Sequence, residues 1–296
     1  MSTRASALTT LRVGGELLTL IDAKSETQFI DALQKYPDAL VMGGGSNLLF
    51  SDAECERPVI KASMRGIAHE VDACSGATWT VRAGENWDHF VSATVEAGCA
   101  GLETLSGIPG TVGGAPIQNI GAYGSELKDC FHSLTYFDFS TGEVCMLDRE
   151  TCRFGYRDSI FKHELRDRAV ILDISFALPK QWQPNLSYAE LANELSENGL
   201  VTTTARDISE AVIAIRRRKL PDPSVIGNAG SFFKNPVVSK EIHTELFKKY
   251  PQLVSYAQPD GGVKLAAGAA VPAAVACQAC QRRYVAAGAG LARENG

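Results

Sequence analysis

Apolar residues follow two periods along this chain, and the switches between them mark out its elements. In SETQFIDALQKY, Phe29, Ile30, Leu33 and Tyr36 fall on one face, which predicts a helix with Ser25 and Gln28 as a capping box. Short apolar runs flank it, LLTLID at 17–22 and ALVM at 39–42, and both read as buried strands. Strand, helix and strand make a βαβ unit, so the two strands are expected to be parallel, with a loop at the carboxyl end. From 59 to 84 short strands recur in PVIKAS and WTVRAG. NWDHFVSATVEAG then predicts a helix capped by Asn86 and stopped by Gly98. TYFDF and EVCML flank a Thr141-Gly142 turn, and VILDISFAL at 170–178 is a further buried strand, so a second α+β unit fills roughly 60–178. QWQPNLSYAELANEL is looser. DISEAVIAIRRRKLPDP predicts a helix with Asp207 and Glu210 as its box, Arg216 to Lys219 at its negative end and Pro221 as its stop. GNAGSFFKNP and the helix SKEIHTELFKKYP open a third region; after Lys264 alanine dominates and no period persists.

Composition narrows the class. A chain of 296 residues is long enough for two or three domains, and 45% apolar with 21% charged residues is ordinary for a globular protein. A net charge of −5 argues against a general nucleic-acid binder. The first residues lack the apolar core of a signal peptide, and AAGAAVPAAVAC at 266–277 is too short to span a bilayer, so a cytoplasmic protein without a membrane segment is expected. The eight cysteines are scattered; Cys277 and Cys280 form a CxxC with nothing beside it to complete a metal site, and free buried thiols are expected.

Two glycine-rich stretches carry the candidate chemistry. GGGSN at 43–47 follows a strand, where glycine permits close ligand approach and successive N–H groups can hold an anion. No lysine follows in the P-loop position, and a tight turn is an equal reading of this stretch alone. GIPGTVGGAPIQNIGAYG at 107–124 is uncharged, six of its residues are glycine, and it therefore offers mostly backbone. A linker is the alternative, opposed by the regular apolar residues Ile108, Val112, Ile117 and Ile120. With no lysine or arginine in either stretch, backbone dipoles would hold phosphate, and Gln118 and Asn119 would offer directional hydrogen bonds to a heteroaromatic edge.

GGGSNLL, SGIPGTVGGAPIQNIGAYG, FGYRDSIFK (154–162) and GNAGSFFKNP (227–236) stand in the order seen in UDP-N-acetylenolpyruvoylglucosamine reductases, and the chain resembles that family over roughly 10–265. The resemblance implies an α+β fold: a PCMH-type FAD-binding unit of two subdomains, 1–60 and 61–181, a connecting loop and helix at 182–218, and a smaller α/β substrate-binding domain at 219–296. It implies FAD held by Gly43, Gly44, Gly45, Ser46, Asn47 and Leu48 from the first stretch. From the second it implies Ile108, Pro109, Gly110, Thr111, Gly113, Gly114, Ala115, Ile117, Gln118, Asn119, Gly121, Ala122, Tyr123 and Gly124. The activity implied is NADPH-driven reduction of a UDP-sugar enolpyruvyl ether in peptidoglycan precursor synthesis, by a monomer. Arg157 would clamp the substrate carboxylate, its alternative being an ion pair with Asp158. Ser231 would donate the proton, its alternative being a turn serine after Gly230. Tyr156, Tyr188, Lys219 and Asn235 match substrate positions; Tyr188 would lie on a covering loop, its alternative being a packing tyrosine, and the alternative for Lys219 is favourable placement at a helix end. A flavin-binding protein without turnover and another flavin oxidase on the same fold are the other readings.

The resemblance stops after VKLAAG (263–268). Members of the family continue with a Trp-containing helix, a glycine-rich hairpin and a catalytic glutamate; here Glu294 is the only acid after Asp260, and nothing around it matches. The substrate domain is therefore expected to be incomplete, and a shifted reading frame or a sequencing error near Gly268 is the expected cause. Translation of the other two frames past that codon tests this: if neither encodes the helix and glutamate, the idea is refuted.

Overall fold

The computed structural model describes residues 3–72, 76–197, 203–230, 234–258 and 261–266. The chain forms two compact units, Met1–Asn228 and Ala229–Gly296. Ser231, the alanine-rich tail with Cys277 and Cys280, and Glu294 lie outside the described residues.

The first unit starts with Thr3–Arg4 (β1) paired antiparallel to Glu16–Leu17 (β2). Leu20–Ala23 (β3), the helix Glu26–Lys35 (α1), Leu40–Met42 (β4) and Val59–Ala62 (β5) then build a parallel sheet ordered β3-β5-β4. The two strands of the expected βαβ unit are parallel but do not pair, because β5 inserts between them. Val59 and Ile60 are both fully buried, and a strand apolar on both faces belongs in the centre of a sheet. The expected strand 17–22 breaks at Leu18, which stands exposed. Ser25 caps α1 by accepting from Gln28 N at 3.2 Å, but Gln28 reaches back to Lys24 N (3.0 Å) instead of closing the box on Ser25.

The second sheet is antiparallel throughout. It comprises Ile67–Asp72 (β6), Gly76–Arg82 (β7), Phe131–Asp138 (β10), Glu143–Asp148 (β11) and Ala169–Pro179 (β12), ordered β11-β10-β12-β7-β6; Gly121–Ala122 (β8) and Ser125–Glu126 (β9) form a small hairpin between β7 and β10 in the chain. The helix Trp87–Glu96 (α2) is capped as expected, Asn86 Oδ1 accepting from His89 N at 2.9 Å, and Gly98 ends it at φ 74°. From α2, Trp87 and Phe90 pack on Phe176 of β12 with ring centroids 4.9–6.0 Å apart. Trp87 Nε1 also donates to Leu105 O at 3.0 Å, which fixes the chain just ahead of the glycine-rich stretch. One apolar core runs from Phe29 and Leu33 of α1 through Ile60 to Phe90, Leu134 and Phe176, so the two sheets share it.

The helices Ala189–Glu197 (α3) and Ala205–Lys219 (α4) close a smaller core of Leu191, Leu195, Ile208, Val212 and Ile215. The cap of α4 differs from expectation. Thr204 caps it, accepting from Asp207 N at 3.2 Å, and Asp207 is the third-position partner, accepting from Thr204 N at 2.8 Å. Three residues of helix thus precede the expected start, and Lys219 ends α4 inside the first unit. Cys55, Cys99, Cys130, Cys145 and Cys152 are free thiols; burial pushes Cys130 and Cys152 up to about 12, which keeps both protonated.

In the second unit Val237–Val238 (β13), Ser255–Ala257 (β14) and Val263–Leu265 (β15) form an antiparallel sheet ordered β13-β15-β14. The helix Lys240–Lys249 (α5), capped by Ser239, buries none of its residues.

Phe90→Ala should lower the unfolding free energy by about 3–5 kcal/mol in a urea titration, because a fully buried ring leaves a cavity. A loss below about 1 kcal/mol would show that the shared core does not rest on these rings.

Candidate functional site: two glycine loops and an anchored arginine

The two glycine-rich stretches meet main chain to main chain. A Cβ on Gly44 would stand 3.1 Å from Gly110 Cα, and one on Gly43 would stand 2.4 Å from Thr111 Oγ1. Here glycine serves close approach between loops before it serves any ligand. Gly45, at φ 65° and pressed against Leu8 O, turns the first loop back. The second loop is tied to the turn before α2 by Val112 N to Glu85 O (2.9 Å), Gly113 N to Ala83 O (2.8 Å) and Trp87 N to Gly110 O (3.1 Å). Among the described residues, the N–H groups of Gly44, Gly45, Ser46, Asn47, Gly110 and Thr111 donate to no protein acceptor. Six unspent main-chain donors in two abutting loops suit an anion such as a pyrophosphate. That donor set, with bare backbone where a Cβ would intrude, fits a flavin dinucleotide.

A cation does reach this region, from outside the loops. Arg216 of α4 donates from Nε to Gly107 O at 3.0 Å. Burial holds its pKa below the usual arginine range, against the pull of Tyr123 and Asp88. Sequence reasoning placed Arg216 only as a charge at a helix end. The signal was there: Ile208, Val212 and Arg216 are spaced by four, so Arg216 continues the buried stripe.

The segment bearing Arg157 is sewn to the glycine-rich stretch by three side-chain hydrogen bonds. Asn119 Nδ2 donates to Gly155 O at 3.0 Å, Arg157 Nη2 to Gly121 O at 2.9 Å, and Ser159 Oγ to Ile117 O at 2.7 Å. Arg157 is half-buried at φ 56°, with Nε and Nη1 left without a protein acceptor among the described residues. The alternative pairing with Asp158 does not form. Asp158 is held by His163 Nε2 at 2.9 Å, which keeps its carboxyl below the usual range.

Tyr188 stands edge-on to Tyr123, centroids 5.2 Å apart at 84°. Lys219 Nζ donates to Glu190 Oε2 at 2.5 Å, and this carboxylate raises the lysine pKa. Asn185 Nδ2 donates to Gly124 O at 3.1 Å, so the strand-free segment ahead of α3 rests on the tip of the glycine-rich stretch. Tyr123, Tyr188 and Lys219 are thereby brought together; burial lifts the Tyr123 pKa, with Arg216 and Lys219 opposing. Asn235 lies in the second unit.

One expected ligand contact is corrected. Asn119 is 0% exposed, its amide donating to Glu126 Oε2 and Gly155 O and its Oδ1 accepting from Lys128 N, all at 3.0 Å. A side chain so enclosed cannot read a heteroaromatic edge. Among the described residues no cluster of metal-ligating side chains occurs, and no helix is long and apolar enough to cross a membrane.

Residues 20–148 match the FAD binding domain family, and the fold and donor set make this a flavin-binding protein of the PCMH type. Over 232 residues the chain is 52% identical to UDP-N-acetylenolpyruvoylglucosamine reductase of Ralstonia nicotianae, covering 77% of this chain and 68% of that one. The Burkholderia mallei protein of the same name is 52% identical over 235 residues (78% and 67%), and that of Pseudomonas syringae 49% over 229 (77% and 67%). The crystal structure of UDP-N-acetylenolpyruvylglucosamine reductase from Thermus caldophilus shares the fold, with a TM-score of 0.54 at 24% identity over 90% of this chain and 86% of that one. The chain belongs to the UDP-N-acetylenolpyruvoylglucosamine reductase family and is by that membership an oxidoreductase.

Gly44→Ala is expected to weaken FAD binding about tenfold or more, since the added methyl pushes Gly110 backbone away. Quenching of flavin fluorescence on titration measures it; an unchanged affinity would remove the close approach from the account of the site.

Proposed function

We propose that this chain carries out the FAD-dependent, NADPH-driven reduction of UDP-N-acetylglucosamine enolpyruvate to UDP-N-acetylmuramate, as a cytoplasmic monomer supplying peptidoglycan precursors. The observation that carries the reading is the guanidinium of Arg157, pinned to Gly121 O of the glycine-rich stretch with Nε and Nη1 still unspent. FAD would be held by the main-chain N–H groups of Gly44, Gly45, Ser46, Asn47, Gly110 and Thr111 and would supply the hydride-transfer chemistry between NADPH and the substrate. Arg157 binds the substrate carboxylate, toward which negative charge moves as the vinyl carbon is reduced. Ser231 gives its hydroxyl proton to the neighbouring carbon. Lys219 meets a phosphate of the UDP moiety by exchanging its Glu190 partner for it. Tyr188 covers the substrate and keeps water from the charged intermediate, while Tyr156 and Asn235 line the substrate.

Purified protein tests the proposal in two stages: bleaching of its flavin absorbance by NADPH, then consumption of UDP-N-acetylglucosamine enolpyruvate. Ser231→Ala should leave the first stage near the parent rate and slow the second by on the order of 10²–10⁴-fold. Arg157→Lys, which keeps charge but loses the fork, should slow the second stage and raise KM for the substrate. Bleaching without consumption by the parent chain would make it a flavin-binding protein without turnover. A colourless protein that takes up no FAD would end the reading.

A further inference from the structure

Arg157 occupies a backbone region that a bulky side chain rarely adopts, at φ 56°. It sits in a tight turn closed by Gly155 N to Asp158 O (3.0 Å) and Asp158 N to Gly155 O (3.3 Å). A conformation of this kind persists only where its surroundings over-determine it. The turn is held at both ends by the glycine-rich stretch: Ser159 Oγ donates to Ile117 O beyond Arg157, and Asn119 Nδ2 donates to Gly155 O before it.

We propose that Asn119 is a positioning residue whose carboxamide sets where Arg157 stands. The inference rests on the role given to Arg157 above. Three features single out Asn119 among its neighbours. It is fully enclosed, so its bonds are made in the absence of competing water. Both of its amide protons are committed, one to Gly155 O and one to Glu126 Oε2, and Glu126 is itself fixed by Lys128 Nζ at 2.7 Å. Its oxygen accepts from Lys128 N, so a single side chain joins the turn of 155–158, the β8–β9 hairpin and the chain leaving it. Asparagine also tolerates the left-handed backbone found here, φ 44°. Aspartate matches it in shape and backbone but has no donor, and would set its charge against Glu126. Glycine keeps the backbone and removes the side chain. The pair separates the two demands.

Hydrogen exchange by mass spectrometry on the full-length, FAD-loaded parent, Asn119→Asp and Asn119→Gly proteins is the first arm. Peptides spanning 154–160 should exchange about tenfold or more faster in both variants, because each loses a buried bond that holds the turn. Peptides from β10 and β12 should stay within about threefold of the parent. Unchanged exchange at 154–160 in both variants would overturn the proposal. So would an increase spread evenly through β10 and β12, which marks a general structural loss. Kinetics form the second arm. Both variants should bleach with NADPH within about threefold of the parent and lose about tenfold or more in the rate of enolpyruvate reduction, as expected when a clamp is misplaced. Normal reduction beside a loosened turn sinks the positioning role. If the parent itself consumes no substrate, the activity assigned to the chain fails, while the exchange arm still decides whether Asn119 holds the turn.

Discussion

The first unit is organised by the approach of two backbones, that of residues 43–44 and that of residues 110–111. A Cβ at Gly44 would stand only 3.1 Å from Gly110 Cα, and the approach places unspent N–H groups from both loops side by side. Much of the surrounding architecture can be read as support for this one proximity. The first loop is delivered by β4 of the parallel sheet, and the second is gripped from beneath by the 83–85 turn and from ahead by Trp87. Burying the aromatic cluster of Trp87, Phe90 and Phe176 stabilises the unit by several kcal/mol, at about 25 cal/mol per Å² of apolar surface. The same packing sets the height of the loop.

Upon that platform the side-chain chemistry is borrowed from elsewhere in the chain. Arg216 arrives from α4, Arg157 from the turn after β11, and Tyr188 and Lys219 from the helical pair. None lies in a glycine-rich loop, yet Arg216 and Arg157 each hydrogen-bond a carbonyl of the 107–124 stretch, and Tyr188 packs on its Tyr123. The stretch is therefore a hub: the N–H groups of Gly110 and Thr111 stay unspent, while its carbonyls at Gly107 and Gly121 anchor two arginines from elsewhere in the chain.

Local elements were legible in the sequence where a single residue type answers a single demand. Asn86 at the start of α2 and Gly98 at its end behave as caps must, and the apolar stripe of α1 is buried as its spacing requires. The glycine loops were legible as backbone surfaces, though their contact with each other was not, since nothing local encodes which loops will meet. The insertion of β5 between β3 and β4 was hidden for the same reason: strand order is decided by which strand is apolar on both faces, a comparison among distant segments. Asn119 misled because a polar side chain in a ligand-binding stretch reads as a ligand contact until its direction is known. Thr204 was passed over in favour of Asp207, although T-x-x-D carries the same reciprocal signal one turn earlier.

The core shared by the two sheets has a dynamic consequence. Lobes that own separate cores can hinge apart to admit a guest, whereas these are welded through Ile60, Trp87 and Phe176. A dinucleotide lodged between them would therefore have to be admitted with no swing of whole lobes. Slow cofactor exchange follows from the architecture, and saturation with flavin would raise the melting temperature of the entire unit as one block.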